Sequence, residues 1–228
     1  MKPWQVKNWV IPKASASFVC AMEDVLQVYQ RAYEPDYPVV NLDESPKQLI
    51  GQIRKVFTDS KGVIHQDYEY HRQGVADIDM IVEALAGKRE VLIKDNHKSY
   101  TYAEVISHIV EHMYKGAKKI TIIEDNLSAH KLSALYEVFE PERARAIIEK
   151  IEIVRTPPHG SWLNVAECEL SVLTRQGLKE RVPSKEELEK QVQAWFKNRN
   201  EKQTKIDWQF TTKDARIKLK SLYPSVYI

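Results

Sequence analysis

Three acidic residues, Asp43, Asp125 and Glu167, sit where their types and spacing support phosphoryl-transfer chemistry. The run 119–126, KITIIEDN, has four residues that favour a strand and no Gly or Pro, and it stops on an acid-acid-amide cluster. An ionisable Asp125 is left at the carboxyl end of that strand, where open α/β sheets keep their chemistry. A second run, VVNLD at 39–43, follows Pro38 and is closed by ESP at 44–46. Laid side by side and parallel, the two strands bring Asp43 and Asp125 to one sheet edge with no counter-charge between them. Like charges that close repel unless a cation lies between them. Carboxylate oxygens of this kind suit Mg²⁺ or Mn²⁺, which take one or two carboxylates and complete their shell with water and phosphate oxygens. A third acid should come from another element, and WLNVAE at 162–167 offers Glu167 at the start of a helical stretch.

The elements that must position these acids are legible in outline. Phe18, Met22, Val25, Leu26 and Tyr29 predict a one-sided helix over 17–33, which PDYP at 35–38 ends. After Asp43, SPKQ at 45–48 reads as a turn, and Lys61-Gly62 as a hairpin turn. Strands over 75–85 and 90–94 are expected to run antiparallel to the first. TYAE at 101–104 predicts a capping box for a helix whose apolar face is Tyr102, Ile106, Ile109, Val110 and Met113, with Gly116 as its stop. That helix feeds the strand 120–125, so a β-α-β unit lets the first and fourth strands share a direction. Helices over 129–139 and 141–150, a strand over 151–154 and a stiff loop TPPHGS at 156–161 follow. Asn164 should cap the next helix, 164–178, with Glu167 at its third position. Glu167 then has two readings, a metal ligand or a group returning a hydrogen bond to its own N-cap. His108 and His112 have i, i+4 spacing, but without a His-Glu-x-x-His signature they read as exposed histidines.

Composition bounds the rest. The 228 residues suit one domain with appendages, and 34 Lys and Arg against 32 Asp and Glu leave a net charge of +2 that says little about partners. Cys20 and Cys168 are too few for a disulfide framework or a zinc knuckle, so a reducing cytosol is expected. No secretory leader and no apolar run of spanning length appears. Residues 1–13 carry Lys2, Lys7 and Lys13 with Trp4 and Trp9 and read as an arm that either packs its indoles on the domain, the favoured reading, or lies along a nucleic-acid backbone. In the C-terminal third, Ser184 caps a helix bearing Leu188, Val192, Trp195 and Phe196 on one face. Residues 175–220 hold 13 Lys or Arg against 7 Asp or Glu. Lys197, Arg199, Lys202, Lys205, Lys213, Arg216, Lys218 and Lys220 are the candidates for salt-sensitive attraction to a DNA backbone.

The three acid-bearing blocks, VVNLDESPKQL around Asp43, EDNLSAH around Asp125 and PHGSWLNVAE around Glu167, together resemble the acid-triad (DDE) transposases. The resemblance is to the bacterial insertion-sequence branch related to the mariner elements. It implies an α/β, ribonuclease H-like fold with a mixed five-stranded sheet flanked by helices. It also implies Asp43, Asp125 and Glu167 as catalytic, metal-binding acids, with Asn126, His130, His159, Ser161, Trp162 and Asn164 in supporting positions. Mg²⁺ or Mn²⁺, as two ions, would activate a water or a 3′-hydroxyl and stabilise the leaving oxygen of an in-line displacement.

The same resemblance implies double-stranded DNA, both transposon ends and target, as the partner. A homodimer or higher synaptic complex, in the cytoplasm of a prokaryote and associated with its nucleoid, is the expected setting. An arm and helix over 1–37, a catalytic core over 38–182 and a basic helical extension over 183–228 are the expected divisions. Family members usually begin with a helix-turn-helix region, and this chain starts almost at the linker that follows it. A separately encoded DNA-binding part, a truncated copy or a cut chain would each account for that. Two other classes remain open at this point, an inactive remnant that binds DNA or a partner, and a nuclease of the same fold without strand transfer.

Overall fold

A computed structural model describes residues 15–65 and 67–225 of the chain. A five-stranded mixed sheet in the order β5-β4-β1-β6-β7 forms its centre. The strands are β1 Val39–Gln52, β4 Tyr70–Glu83, β5 Lys88–Lys94, β6 Ile120–Glu124 and β7 Ile151–Arg155. β4 runs antiparallel to β1, and β6 and β7 run parallel to it. Two short strands, β2 Phe57–Thr58 and β3 Ile64–His65, form a separate hairpin turned at Lys61-Gly62 as expected.

Strand alternation gives the sheet two apolar faces. On one face Val40, Leu42, Ile81 and Ile122 pack against Ile106 and Ile109 of the segment that begins with α2 (Ser99–His108). The short α3 (Leu135–Val138) and α4 (Pro141–Glu149) complete that side with Leu135 and Ile147. On the other face Met80, Val82 and Val91 meet Ala166, Leu170 and Leu173 of α5 (Val165–Gln176) and Leu188 and Val192 of α6 (Lys185–Glu201). A third cluster joins Met22, Val25 and Leu26 of α1 (Ala16–Tyr29) to Ile123, Leu163 and Ala215, the last from α7 (Thr212–Lys218). Each fully buried Leu, Ile or Met side chain in these layers contributes about 1.5–3 kcal/mol, which fixes the helices on the sheet. Among the described residues no helix is long and apolar enough to cross a membrane.

Several expectations are corrected. Residues 45–48 are not a turn, because β1 continues to Gln52 paired with β4, with Pro46 opposite Asp77. A proline is tolerated there because β6 pairs only with Val39, Val40 and Asn41, so among the described residues no strand pairs with β1 on that side at Pro46. β5 is antiparallel to β4 and therefore runs with β1, not against it. The box at 101–104 does not form: α2 starts at Ser99, Thr101 donates to Asn96 Oδ1 at 2.9 Å and Glu104 pairs with Lys94 at 2.8 Å. α2 then passes into a π-helical segment, Ile109–Met113. The helix expected over 129–139 is a 3₁₀ turn, Leu132–Ala134, leading into α3. His108 is half-buried and bonded to Glu90 at 2.6 Å, while His112 is exposed. The arm at 1–13 lies outside the described residues.

Candidate functional site

The sheet forks just past Asn41, where β6 leaves β1. Asp43 stands at that fork, two residues beyond the last parallel pair and opposite Met80 of β4. Asp125 follows the last residue of β6. Glu167 lies in the first turn of α5 and is exposed. Asn164 holds that helix in place. Its side-chain carbonyl accepts from Ala166 N at 3.1 Å as the N-cap, and its amide donates to Leu42 O at 2.8 Å, one residue before Asp43. A single buried side chain thus ties the strand of the first acid to the helix of the third. The capping role considered for Glu167 is not adopted: the Asn164 N–H donates instead to Ser161 O at 2.7 Å.

The charges of Asp125 and Glu167 both bear on Asp43. Burial pushes the Asp43 carboxyl up to about 7, helped by the negative charge of Glu44 and then of Asp125 and Glu167, against one bond from Glu44 N at 2.9 Å. Among the described residues no Lys or Arg pairs with Asp43 or Glu167. Oxygen donors repelling one another without a counter-charge fit a divalent cation such as Mg²⁺ or Mn²⁺.

Asp125 differs, because His130 holds its carboxyl below the usual carboxylate range. His130 Nδ1 lies 3.0 Å from Asp125 Oδ1 and its Nε2 lies 3.3 Å from Glu44, while its ring stacks on Tyr102 with centroids 4.7 Å apart. The Nδ1 interaction is one of charge, since that nitrogen has no aligned hydrogen-bond partner. Burial alone would lower the His130 pKa, but the two carboxylates override it and push it up to about 10.

Glu44, Asp125 and His130 also form the one group among the described residues whose ligating atoms lie within 4.8 Å of one another. These three lie close enough together to hold a metal ion, and the imidazole bridges the carboxylates of Glu44 and Asp125. Behind them, on the α2 face, Glu124 is fully buried, accepts from Tyr102 at 2.8 Å and lies 3.5 Å from Arg155. Asp79, paired with Glu44 across the strands, is pushed up to about 7 by burial and by Glu44. Alternation at the strand ends therefore puts two acid sets on opposite faces: Asp43 with Glu167, and Glu44 with Asp79 and Glu124. The sequence pattern alone did not mark Glu44, Tyr102, Asp79 or Glu124. The one signal it carried was the adjacency of acids at 43–44 and 124–125, since neighbours in a strand point to opposite faces.

Asn126, His159 and Ser161 line an open groove with Asp125. Asn126 donates to Thr156 O, and His159 adopts a left-handed backbone at φ 63° that a side chain rarely takes. Trp162 is exposed and meets the Phe210 ring edge-on. Of the basic residues, Lys197, Lys202, Lys205, Lys213 and Lys220 face solvent. Arg216 is paired with Glu23 at 2.7 Å, and Lys218 lies 3.6 Å from Asp214. Arg199 turns inward to Glu169 instead of outward.

Residues 38–189 match the family described as DDE superfamily endonuclease, and the chain belongs to it. Among solved structures it is similar to the mariner Mos1 paired end complex with Mg, at a TM-score of 0.57 and 13% identity over 96% of this chain and 67% of that one. The Mos1 transposase paired-end complex with left transposon end gives 0.56 and 14% over 95% and 65%. The Mos1 transposase catalytic domain with Raltegravir and Mn gives 0.52 and 12% over 87% and 96%. These structural matches establish the ribonuclease H-like fold, and the chain spans about two thirds of the paired-end proteins. No curated protein matches it.

Proposed function

We propose that this chain is the catalytic part of a DNA transposase from the bacterial insertion-sequence branch related to mariner elements. It cleaves and joins DNA strands by in-line phosphoryl transfer, with Asp43, Asp125 and Glu167 as the metal-binding acids. The observation that carries this reading is Asp43 at the fork of the sheet, its carboxyl raised by burial and by the charges of Glu44, Asp125 and Glu167, with no Lys or Arg paired to it among the described residues. Membership of the DDE superfamily supports it. Two Mg²⁺ or Mn²⁺ ions on these carboxylates would supply charge neutralisation and an activated oxygen nucleophile.

The chain's own residues do the rest. Asn164 sets the distance between the first and third acids, and His130 keeps Asp125 ionised and oriented. His159, Ser161 and Trp162 flank the groove through which a strand reaches Asp125. The exposed lysines of the C-terminal part, Lys197, Lys202, Lys205, Lys213 and Lys220, follow the backbone of double-stranded DNA. Residues 38–182 form the catalytic core, 1–37 its leading arm and helix, and 183–228 an extension that completes it. Two copies bridge the transposon ends.

The test uses supercoiled plasmid DNA with Mn²⁺ and a duplex carrying a pre-cut 3′ end of the flanking element. Nicking together with joining of that 3′ end to the plasmid is the expected outcome. Nicking without joining would reduce the protein to a nuclease, and neither activity in well-folded protein would make it an inactive remnant.

A further inference from the structure

Glu169 lies two residues after Glu167 in α5, about 200° round the helix, and it is buried where Glu167 is exposed. Two guanidinium groups grip it from different elements. Arg89 of β5, itself 1% exposed, donates from Nε at 2.7 Å and from a terminal nitrogen at 3.2 Å. Arg199, in the last turn of α6, donates from Nε at 3.0 Å and from a terminal nitrogen at 2.6 Å. The remaining donors of Arg89 reach Gly87 O at 3.0 Å and Thr204 O at 2.6 Å. Asn200 closes the ring by accepting from Arg89 N at 2.8 Å and donating to Arg89 O at 2.7 Å. At Gly87, with φ +68°, an added Cβ would lie 2.9 Å from the backbone of Gln203, so the chain after α6 is pressed onto the β4–β5 turn.

We propose that Arg89, Glu169 and Arg199 act as positioning residues that fix the rotation of α5 about its axis, and through it the direction of Glu167. The apolar side of α5, Ala166, Leu170 and Leu173, holds the helix on the sheet without specifying its azimuth closely. Two bidentate Arg–carboxylate forks do specify it, because their geometry is planar and directional. A buried ion-pair cluster adds little net stability over apolar side chains of the same volume, so its presence points to orientation. The residues matched to the family end at 189, and Arg199, Asn200 and Thr204 lie beyond them. Part of the device that aims the third acid therefore comes from the C-terminal extension. The inference rests on the reading of Glu167 as a metal-binding acid.

The experiment measures the Mn²⁺ concentration that gives half-maximal nicking of supercoiled plasmid, well below the melting temperature of every variant. Arg199→Met is expected to raise that concentration about tenfold, the size found when groups supporting a metal ligand are removed, with activity recovered at high Mn²⁺. Arg199→Lys, which keeps the charge without the fork, falls between. The combined Arg89→Met, Glu169→Leu and Arg199→Met variant keeps the fold by apolar packing and shows at least the same increase. A parental Mn²⁺ requirement in either folded Met-bearing variant overturns the positioning role, since weaker packing alone moves melting and not metal demand. Glu167→Gln is run beside them. If it nicks like the parent, the reading of Glu167 fails and the inference with it; if it is dead while the Met-bearing variants keep parental Mn²⁺ demand, only the positioning role fails.

Discussion

At the residue scale, the division of labour among the acids is the informative feature. Among the described residues Asp43 and Glu167 carry no ion pair, Asp125 is held by His130, and Glu44 serves His130 from the opposite face. Glu44→Gln should therefore keep Mn²⁺-dependent nicking while reducing it about tenfold, the scale of removing a group that orients a ligand. A loss as complete as in Asp43→Asn would move the ligand role to Glu44. Asp79 makes a separate prediction about stability. Its folded pKa, about 7, lies above its ordinary value of 3.8, so the native state keeps a proton that the unfolded chain releases. The contribution is full below about pH 4 and is lost as pH rises towards 7. Glu44, Asp77, Lys94 and His130 set the charge around it. Asp79→Asn, which stays neutral, should melt higher than the parent at pH 8 and show no such gain at pH 4, as circular dichroism would register. Equal melting at pH 8 would mean that Asp79 is not strained by ionisation.

At the scale of elements, Asn164 is the joint between the strand of Asp43 and the helix of Glu167. Asn164→Ala removes an N-cap and leaves Leu42 O without its donor, so it should cost about 1–2 kcal/mol in urea unfolding and lower nicking as well. Parental activity in a folded Asn164→Ala protein would show that the helix is placed by packing alone. Most elements near the site were legible in the sequence. The VVNLD and ITIIED runs, the Asn164 cap and the Ser184 cap all occupy their expected places, because each rests on local pattern. The misread parts depend on partners far away in the chain. SPKQ at 45–48 looks like a turn until β4 is present to pair with it, and Thr101 abandons its expected cap for Asn96. Arg199 reads as a solvent-facing charge until Glu169, 30 residues earlier, is brought beneath it.

At the scale of the whole molecule, two acid sets lie back to back through one sheet, and the C-terminal helices close the side that carries Glu167. The solvent-facing lysines after α5 predict binding to DNA that is non-specific and salt-sensitive. Replacing Lys202, Lys205 and Lys213 by Gln should lower the slope of log affinity against log salt by about 0.9 for each phosphate no longer neutralised. An unchanged slope would place the DNA on another surface. The proposed chemistry stands or falls with the three acids themselves. The deciding measurement is Mn²⁺-dependent nicking of supercoiled plasmid with Asp43→Asn, Asp125→Asn and Glu167→Gln, each first shown to melt cooperatively like the parent. Nicking should vanish in all three, and any one of them cutting at the parental rate would contradict the assignment of that acid to the metal site.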